Sequence, residues 1–407
     1  MANPAHRVLR FVAAIAVVIV LNGEMSSTKA ASCDVCSVTA SGDNECDCAL
    51  CRNSVWMSVD YLMWWTRGDS VPALVTTSPA GTPRAAAGVL GQPGTTTLFG
   101  GDKLNDDLRS GVRVRGGVWN DCNTKGLDFQ FFALESKAAR FQQGSNGDTI
   151  LSRPFINSNS NQPIAELAAY PGLLSGSVDA NVTSNGLWGW GTNYRSVLSQ
   201  CGTKCCGSRW DVAIGYRQLR MDDHIGIQER LTSPLFAQGT ELVLNDQFAT
   251  RNAFYGLNLG LNHQLRRSDW RLDSFLNVGL GGTSSRVRVQ GDTTIMQSGV
   301  PVVTQTGGLL ALQSNIGDYR HSDFSAIFDL GTNVGYRVRE NLWLHVGYSL
   351  LFWPNVYRAG DQIDEQVNPN LLPPAAPQPG DVNRPIYPGR KTDFWAQGIN
   401  IGIDYRY

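Results

Sequence analysis

The sequence predicts an all-β chain: a single transmembrane antiparallel up-and-down β-barrel of about ten strands, with long extracellular loops and short periplasmic turns. Three observations predict it. Long segments alternate strictly between apolar and small or polar residues, and a period of two belongs to β-strands. The apolar faces begin or end in aromatics, at Trp65, Trp210, Tyr216, Trp270, Tyr336, Trp395 and Tyr407, as the interfacial girdles of outer-membrane barrels do. Connections between segments run alternately long and short, so short turns gather on one rim and long loops on the other. Composition agrees: 17% of the 407 residues are charged, against about a quarter in soluble chains. A net charge of −1 excludes a general polyanion binder, and no nucleic-acid partner is expected.

Residues 1–30 read as a signal peptide. Arg7 and Arg10 form a basic start, and Phe11 to Leu21 is an unbroken apolar run. That run is short of the roughly 20 residues that span a bilayer but suits a secretory h-region. Thr28-Lys29-Ala30 offers a small-x-small cleavage site, and a short buried helix is the competing reading. Residues 31–54 form a Cys-rich segment with Cys33, Cys36, Cys46, Cys48 and Cys51, and residues 55–407 form the barrel. The expected location is the cell outer membrane.

Strands are expected near 55–65, 109–119, 126–135, 186–198, 209–220, 249–265, 269–289, 321–338, 341–357 and 393–407. The last shows the pattern best. Trp395, Ile399, Ile401, Ile403, Tyr405 and Tyr407 share one face, while Gly398, Asn400, Gly402, Asp404 and Arg406 share the other. Leu259 and Val278 are expected against lipid, and their neighbours Asn258 and Asn277 are expected to tolerate Arg if the lumen has room. The short turns are 120–125, 199–208, 266–268 and 339–340; the long loops are about 66–108, 140–185, 221–248, 290–320 and 358–392. A twelve-strand count, splitting Trp210 to Leu231 at Asp222-Asp223, is the alternative, and it breaks the alternation of connections.

This topology puts every cysteine on the periplasmic side, because Cys122, Cys201, Cys205 and Cys206 fall in short turns. Oxidised pairs are the expected state in an exported chain. Cys33-x-x-Cys36 and Cys48-x-x-Cys51 also have the spacing of zinc half-sites. Nine is odd, so at least one thiol is free, metal-bound or shared. A lipid anchor on Cys33 is disfavoured, because Ala30-Ala31-Ser32 lacks a large apolar residue.

The inward faces carry Arg113, Arg115, Arg195, Arg217, Arg271, Arg337 and Arg406 beside Asp60, Asp128, Asp211, Asp273, Asp329 and Asp404. Seven against six suggests crossed ion pairs filling the lumen rather than a ring of one sign. Other motifs carry little. Gly88 to Gly94 lacks the Gly-Lys-Ser/Thr of a phosphate loop and contains Pro93, so it reads as a flexible surface loop. Pro369 to Pro388 reads as an extended Pro-rich loop. Asp361, Asp364 and Glu365 read as a solvated acidic turn rather than a Ca²⁺ site. His224, His263, His321 and His345 show no metal spacing and no nearby carboxylate partner, and Asp222, Asp223 and His224 read as a polar loop tip. No catalytic set, metal or cofactor is expected.

The C-terminal Asn400-Ile401-Gly402-Ile403-Asp404-Tyr405-Arg406-Tyr407 resembles the β-signal recognised by the barrel-insertion machinery of outer membranes. Asn400, Gly402, Tyr405 and Tyr407 are its matching positions. Further phrases resemble the putative beta-barrel porin-7 family, typical of planctomycete bacteria: Tyr61-Leu62-Met63-Trp64-Trp65, Leu74 to Pro79, Gly88 to Thr96, Arg153-Pro154-Phe155, Gly215-Tyr216-Arg217, Phe248 to Asn252, Asn315-Ile316-Gly317, Gly347-Tyr348-Ser349, Gly360 to Asp364 and Asp393 to Gly398. The likeness covers about residues 55 to 407 in order. It implies an outer-membrane location and hands over no catalytic residue.

Physics qualifies the porin label. Barrels of eight strands are filled by side chains, and open aqueous channels belong to about 16 to 18 strands. The expected function is therefore a porin-class barrel with a narrow or gated lumen. It would meet outer-membrane lipid, the insertion machinery and small solutes or ions. A structural or surface-binding barrel working through its loops is the alternative, and an outer-membrane enzyme is a more distant one.

Overall fold

The computed structural model describes residues 54–120, 123–202, 206–374 and 380–407, with the side chains at 201, 202 and 206 left aside. The expected signal peptide, the Cys-rich segment and all nine cysteine side chains lie outside these residues, so the disulfide and zinc expectations do too.

Ten strands close a ring. They are β1 (Ser54–Thr66), β2 (Leu108–Trp119), β3 (Lys125–Leu134), β4 (Ser175–Gly202), β5 (Cys206–Thr232), β6 (Thr240–Arg267), β7 (Trp270–Gln297), β8 (Gly317–Arg339), β9 (Leu342–Val356) and β10 (Thr392–Arg406). Each pairs antiparallel with its neighbour in sequence, and β10 closes on β1 through Trp56↔Arg406 to Thr66↔Ala396. The twelve-strand alternative does not form, since β5 runs unbroken through Asp222 and Asp223.

Alternation decides what each strand faces. On β6, Tyr255, Leu257, Leu259, Leu261 and Leu265 are all exposed on the outer wall, while Asn258 between them is 1% exposed. The paired outer positions Leu259↔Val278 and Leu257↔Leu280 continue the belt onto β7. Aromatics edge it. Trp270 and Tyr336 meet edge-on at 5.1 Å, and Trp210 stacks on His263 at 4.2 Å.

Above this belt the pattern inverts. On β5, Ile214 and Tyr216 face out while Asp211 and Arg217 are buried inside; further along, Leu219, Met221, Ile225, Ile227 and Leu231 are buried inside. The outward positions there become Arg220, Asp222, His224, Gln228 and Arg230. A wall between lipid and a polar lumen has become a wall between water and an apolar interior. The expected long loop at 221–248 is therefore mostly strand, closed by a turn at 233–239, because its period of two persists with the faces exchanged. The expected polar tip at Asp222 to His224 is likewise mid-strand.

β4 to β7 rise furthest and form a partial wall outside the belt. The connections after β1, β3, β7 and β9 fold against that wall as a cap. Within it Leu151–Asn157 pairs with Gln162–Ala169, Val75–Thr77 with Thr96–Phe99, and Gln366–Val367 lies parallel to the first. Lys137–Ser145 continues the ring on β4 beyond the end of β3, and Val300–Thr306 folds back on β7. Gly88 belongs to this cap rather than to a flexible loop. Its φ is +72° and a Cβ there would lie 2.0 Å from Ser152 Oγ, so only glycine fits.

Candidate functional site

Four strata lie along the barrel axis. The outermost is the cap core, where Leu74, Leu151, Val178, Ile225, Phe248 and Leu310 are buried in one cluster. Below it Leu62, Trp64, Phe132, Leu219, Phe254 and Trp353 make an apolar layer across the lumen. Trp64 packs 5.9 Å from Phe132. Its Nε1 donates to Asn400 Oδ1 at 2.8 Å, and Trp353 Nε1 donates to Thr283 Oγ1 at 3.1 Å, so both indoles are satisfied at the layer's polar edges.

The third stratum is ionic. Asp60, fully buried on β1, accepts from Arg113 Nε at 2.8 Å and lies 3.3 Å from Arg115 Nη2. Its other oxygen meets His345 Nε2, and His345 Nδ1 lies 3.4 Å from Asp404. Arg271 engages Asp404 and, at 2.5 Å, Asp273. One network thus crosses β7, β10, β9, β1 and β2. Arg217 pairs with Asp329 at 2.8 Å, and Arg195 with Asp211 at 2.6 Å and Asp128 at 3.5 Å. Asn193 bridges Asp128 and Asn258 at 2.7 and 2.8 Å. Asn400 donates to Ser349 Oγ at 2.7 Å, which puts this residue of the C-terminal pattern inside the lumen. Gly402 sits beside the hub: a Cβ there would meet Val59 O at 2.5 Å, Asp60 Oδ1 at 2.6 Å and His345 Cε1 at 2.8 Å. Tyr405 and Tyr407 point outward and are exposed.

Two sequence expectations need correction. His345 has two carboxylate partners, invisible in sequence because they lie on strands β1 and β10. Arg337 has the inward parity but stands at the short-turn rim, where Asp269 of the turn takes it at 2.6 Å. Sequence reasoning placed Asn258 inside but missed Asn193, Ser349 and His345 as lumen residues. Their inward positions in each strand were the available signal.

The fourth stratum is a vestibule of about 300 Å³ at the short-turn end, lined by Trp56, Arg115, Trp119, Arg195, Arg209, Asp211, Arg271, Asp273, Phe275, Asp404 and Arg406 among others. Of the twelve sequence-predicted lumen residues it takes seven: Arg115, Arg195, Asp211, Arg271, Asp273, Asp404 and Arg406. Arg113, Asp128, Arg217 and Asp329 lie deeper, and Arg337 lies at the rim.

Buried charge also holds the cap. Arg153 reaches Asp246 at 2.6 Å and Glu229 at 3.4 Å, and Asp246 accepts from the backbone N–H groups of Leu309, Leu310 and Ala311 at 2.8–3.0 Å. Burial, with Glu229 close by, pushes Glu166 well above the usual carboxylate range. Arg358 Nε donates to Asp223 at 2.6 Å, and Asp69 accepts from Gly360 N at 3.1 Å. Burial pushes Asp69 up to about 7; Arg358 opposes that shift and Asp223 adds to it. Asp364 accepts from Arg384 and from Ile386 N, both at 2.8 Å, so it is a fastener within the cap. Among the described residues no group of three metal-ligating side chains occurs.

A family model described as putative beta barrel porin-7 matches residues 56–407. No curated protein matches the chain significantly. Among solved structures, the outer membrane protease OmpT of Escherichia coli is 10% identical, with 87% of this chain and 97% of that one covered and a TM-score of 0.43. A Pseudomonas aeruginosa FadL homologue is 9% identical, with 88% and 90% covered and a TM-score of 0.21. The anion-selective porin of Comamonas acidovorans is 8% identical, with 88% and 99% covered and a TM-score of 0.14. Likenesses this remote carry no functional argument.

Proposed function

The chain belongs to the putative beta barrel porin-7 family, and on that premise we propose that it is an outer-membrane barrel whose lumen rests closed, any passage being gated by the cap. The observation that carries this reading is the stack of an apolar layer on an ion-paired layer inside ten strands. Small barrels are filled by their own side chains, and an ion entering the apolar layer would lose its water without gaining a partner. Catalysis forms no part of the reading.

Planar-bilayer recording on the purified full chain tests it. Wild-type current should be far below that of a 16-strand porin. The double variant Trp353→Ala, Arg358→Ala, which thins the apolar layer and loosens the cap, should conduct in discrete steps. A large wild-type conductance would sink the closed-lumen reading. A folded but silent double variant would favour the second reading, a surface-binding barrel, which rests on the cap having a hydrophobic core of its own.

A further inference from the structure

We propose that the periplasmic vestibule is a binding site for a small solute carrying a phosphate group, held by Arg209, Arg271 and Arg406. The outer-membrane reading decides only which side of the membrane the site faces. Its lining brings five guanidinium groups, Arg115, Arg195, Arg209, Arg271 and Arg406, against three carboxylates, Asp211, Asp273 and Asp404. The near-balance along the whole lumen therefore hides a local excess of positive charge.

Pairing shows where the excess sits. Arg271 takes Asp273 and Asp404, Arg195 takes Asp211, and Arg115 turns to Asp60. Arg209 reaches Asp211 only at 3.7 Å and lies over the Trp119 ring at 3.9 Å, with Nε and Nη2 unpartnered. Arg271, its side chain 3% exposed, leaves Nη1 without a partner. Arg406, paired in register with Trp56, makes no ion pair among the described residues.

Buried donors left unmade are costly, and more so when charged. Three such donors, Arg209 Nε and Nη2 on β5 and Arg271 Nη1 on β7, border one cavity with Arg406 of β10, and together they describe a site that an oxyanion completes. Guanidinium forks match phosphate oxygens two at a time. Trp56, Trp119 and Phe275 supply apolar wall for the organic part. A volume of about 300 Å³ is at the small end of ligand pockets. The ionic layer stands above the site, so it is a blind pocket open to the cell side rather than a stretch of conduit.

Calorimetric titration of the full chain in detergent, with folding verified by heat-modifiable migration, tests the proposal with glucose 6-phosphate and with glucose. The phosphate ester should bind saturably and glucose should not, with inorganic phosphate competing more weakly than the ester. Arg406→Gln and Arg209→Gln should each weaken binding at least about tenfold, while Arg320→Gln, exposed near the start of β8 and far from the vestibule, should not change it. Absence of binding at millimolar ester to folded wild type would overturn the proposal. Equal affinity in the folded Arg209→Gln, Arg406→Gln double variant would do the same. So would binding that appears only after residues 31–53 are removed, because that stretch carries Asp34, Asp43, Glu45 and Asp47 against Arg52 and would then be the native occupant. None of these outcomes depends on whether the lumen conducts.

Discussion

Replacing Leu259 by Arg puts the barrel wall to a quantitative test. Outward residues of β6 run from Tyr255 to Leu265, ten rises of about 3.4 Å along the strand. A tilt of about 40° turns that length into a belt about 26 Å tall, close to the roughly 25 Å apolar band of outer-membrane barrels. Leu259 and Leu261 then straddle the midplane, where an Arg costs about 2–4 kcal/mol, against about 0–1 kcal/mol near the interfaces. Leu259→Arg should lower the folding equilibrium by about thirtyfold to nearly a thousandfold, and Tyr255→Arg or Leu265→Arg by about fivefold at most. Urea titration of reversible folding into phosphocholine vesicles measures all three. Equal costs at the three positions, or a smaller cost at Leu259 than at the ends, would mean that this face does not meet lipid. Asn258 behaves differently from the sequence expectation. It is 1% exposed and donates to Asn193 at 2.8 Å, so Asn258→Arg overfills the lumen and should cost about 1–3 kcal/mol or more.

Three further outcomes follow from the packing. Gly402→Ala drives a methyl group into Asp60 and His345 and should cost about 1–3 kcal/mol, read as a lower denaturation midpoint; an unchanged midpoint would refute the contact. Arg153→Ala strands Glu229 and Asp246 in the cap core and should cost about 3–5 kcal/mol, visible as rapid cleavage of residues 135–174 by added protease, whereas wild-type resistance in the variant would refute it. Asp69 keeps its proton in the folded cap up to about pH 7 but loses it near pH 4 when unfolded. Its contribution is therefore complete below pH 4 and fades as pH rises through 7. Hydrogen exchange in residues 67–107 should speed up over that window in wild type and much less in Asp69→Asn; identical pH profiles would count against the shift.

The ring was legible because lipid imposes one rule along each wall, apolar outside and polar inside, and residues such as Ile401 and Asn400 obey it. The cap was not, because the rule reverses there. Ile225, Ile227 and Leu231 carry the same period as Ile214 and Tyr216 but point the other way, so a search for lipid-facing stripes stops near Gln218. Parity also placed Asp60, Arg113 and Asp404 inside the lumen. It could not show which carboxylate meets which cation, since His345 meets Asp60 and Asp404 only after three strands are aligned. Arg337 shows the limit from the other side: its parity is inward, but its depth is that of the turn holding Asp269.

The lock on the cap depends on the order in which the chain arrives. Asp69 and Asp223 belong to early and middle segments, whereas Arg358, which pairs with Asp223 and lies beside Asp69, follows β9. Tyr357, Ala359, Ile363 and Val367 of the same connection complete the apolar cluster. Contacts between segments so far apart in sequence form late, because long loops must close first. Without the connection between β9 and β10, two acidic side chains of the cap lack their cation and the apolar cluster lacks one side. Sealing of the cap thus requires the last hairpin of the ring to be in place.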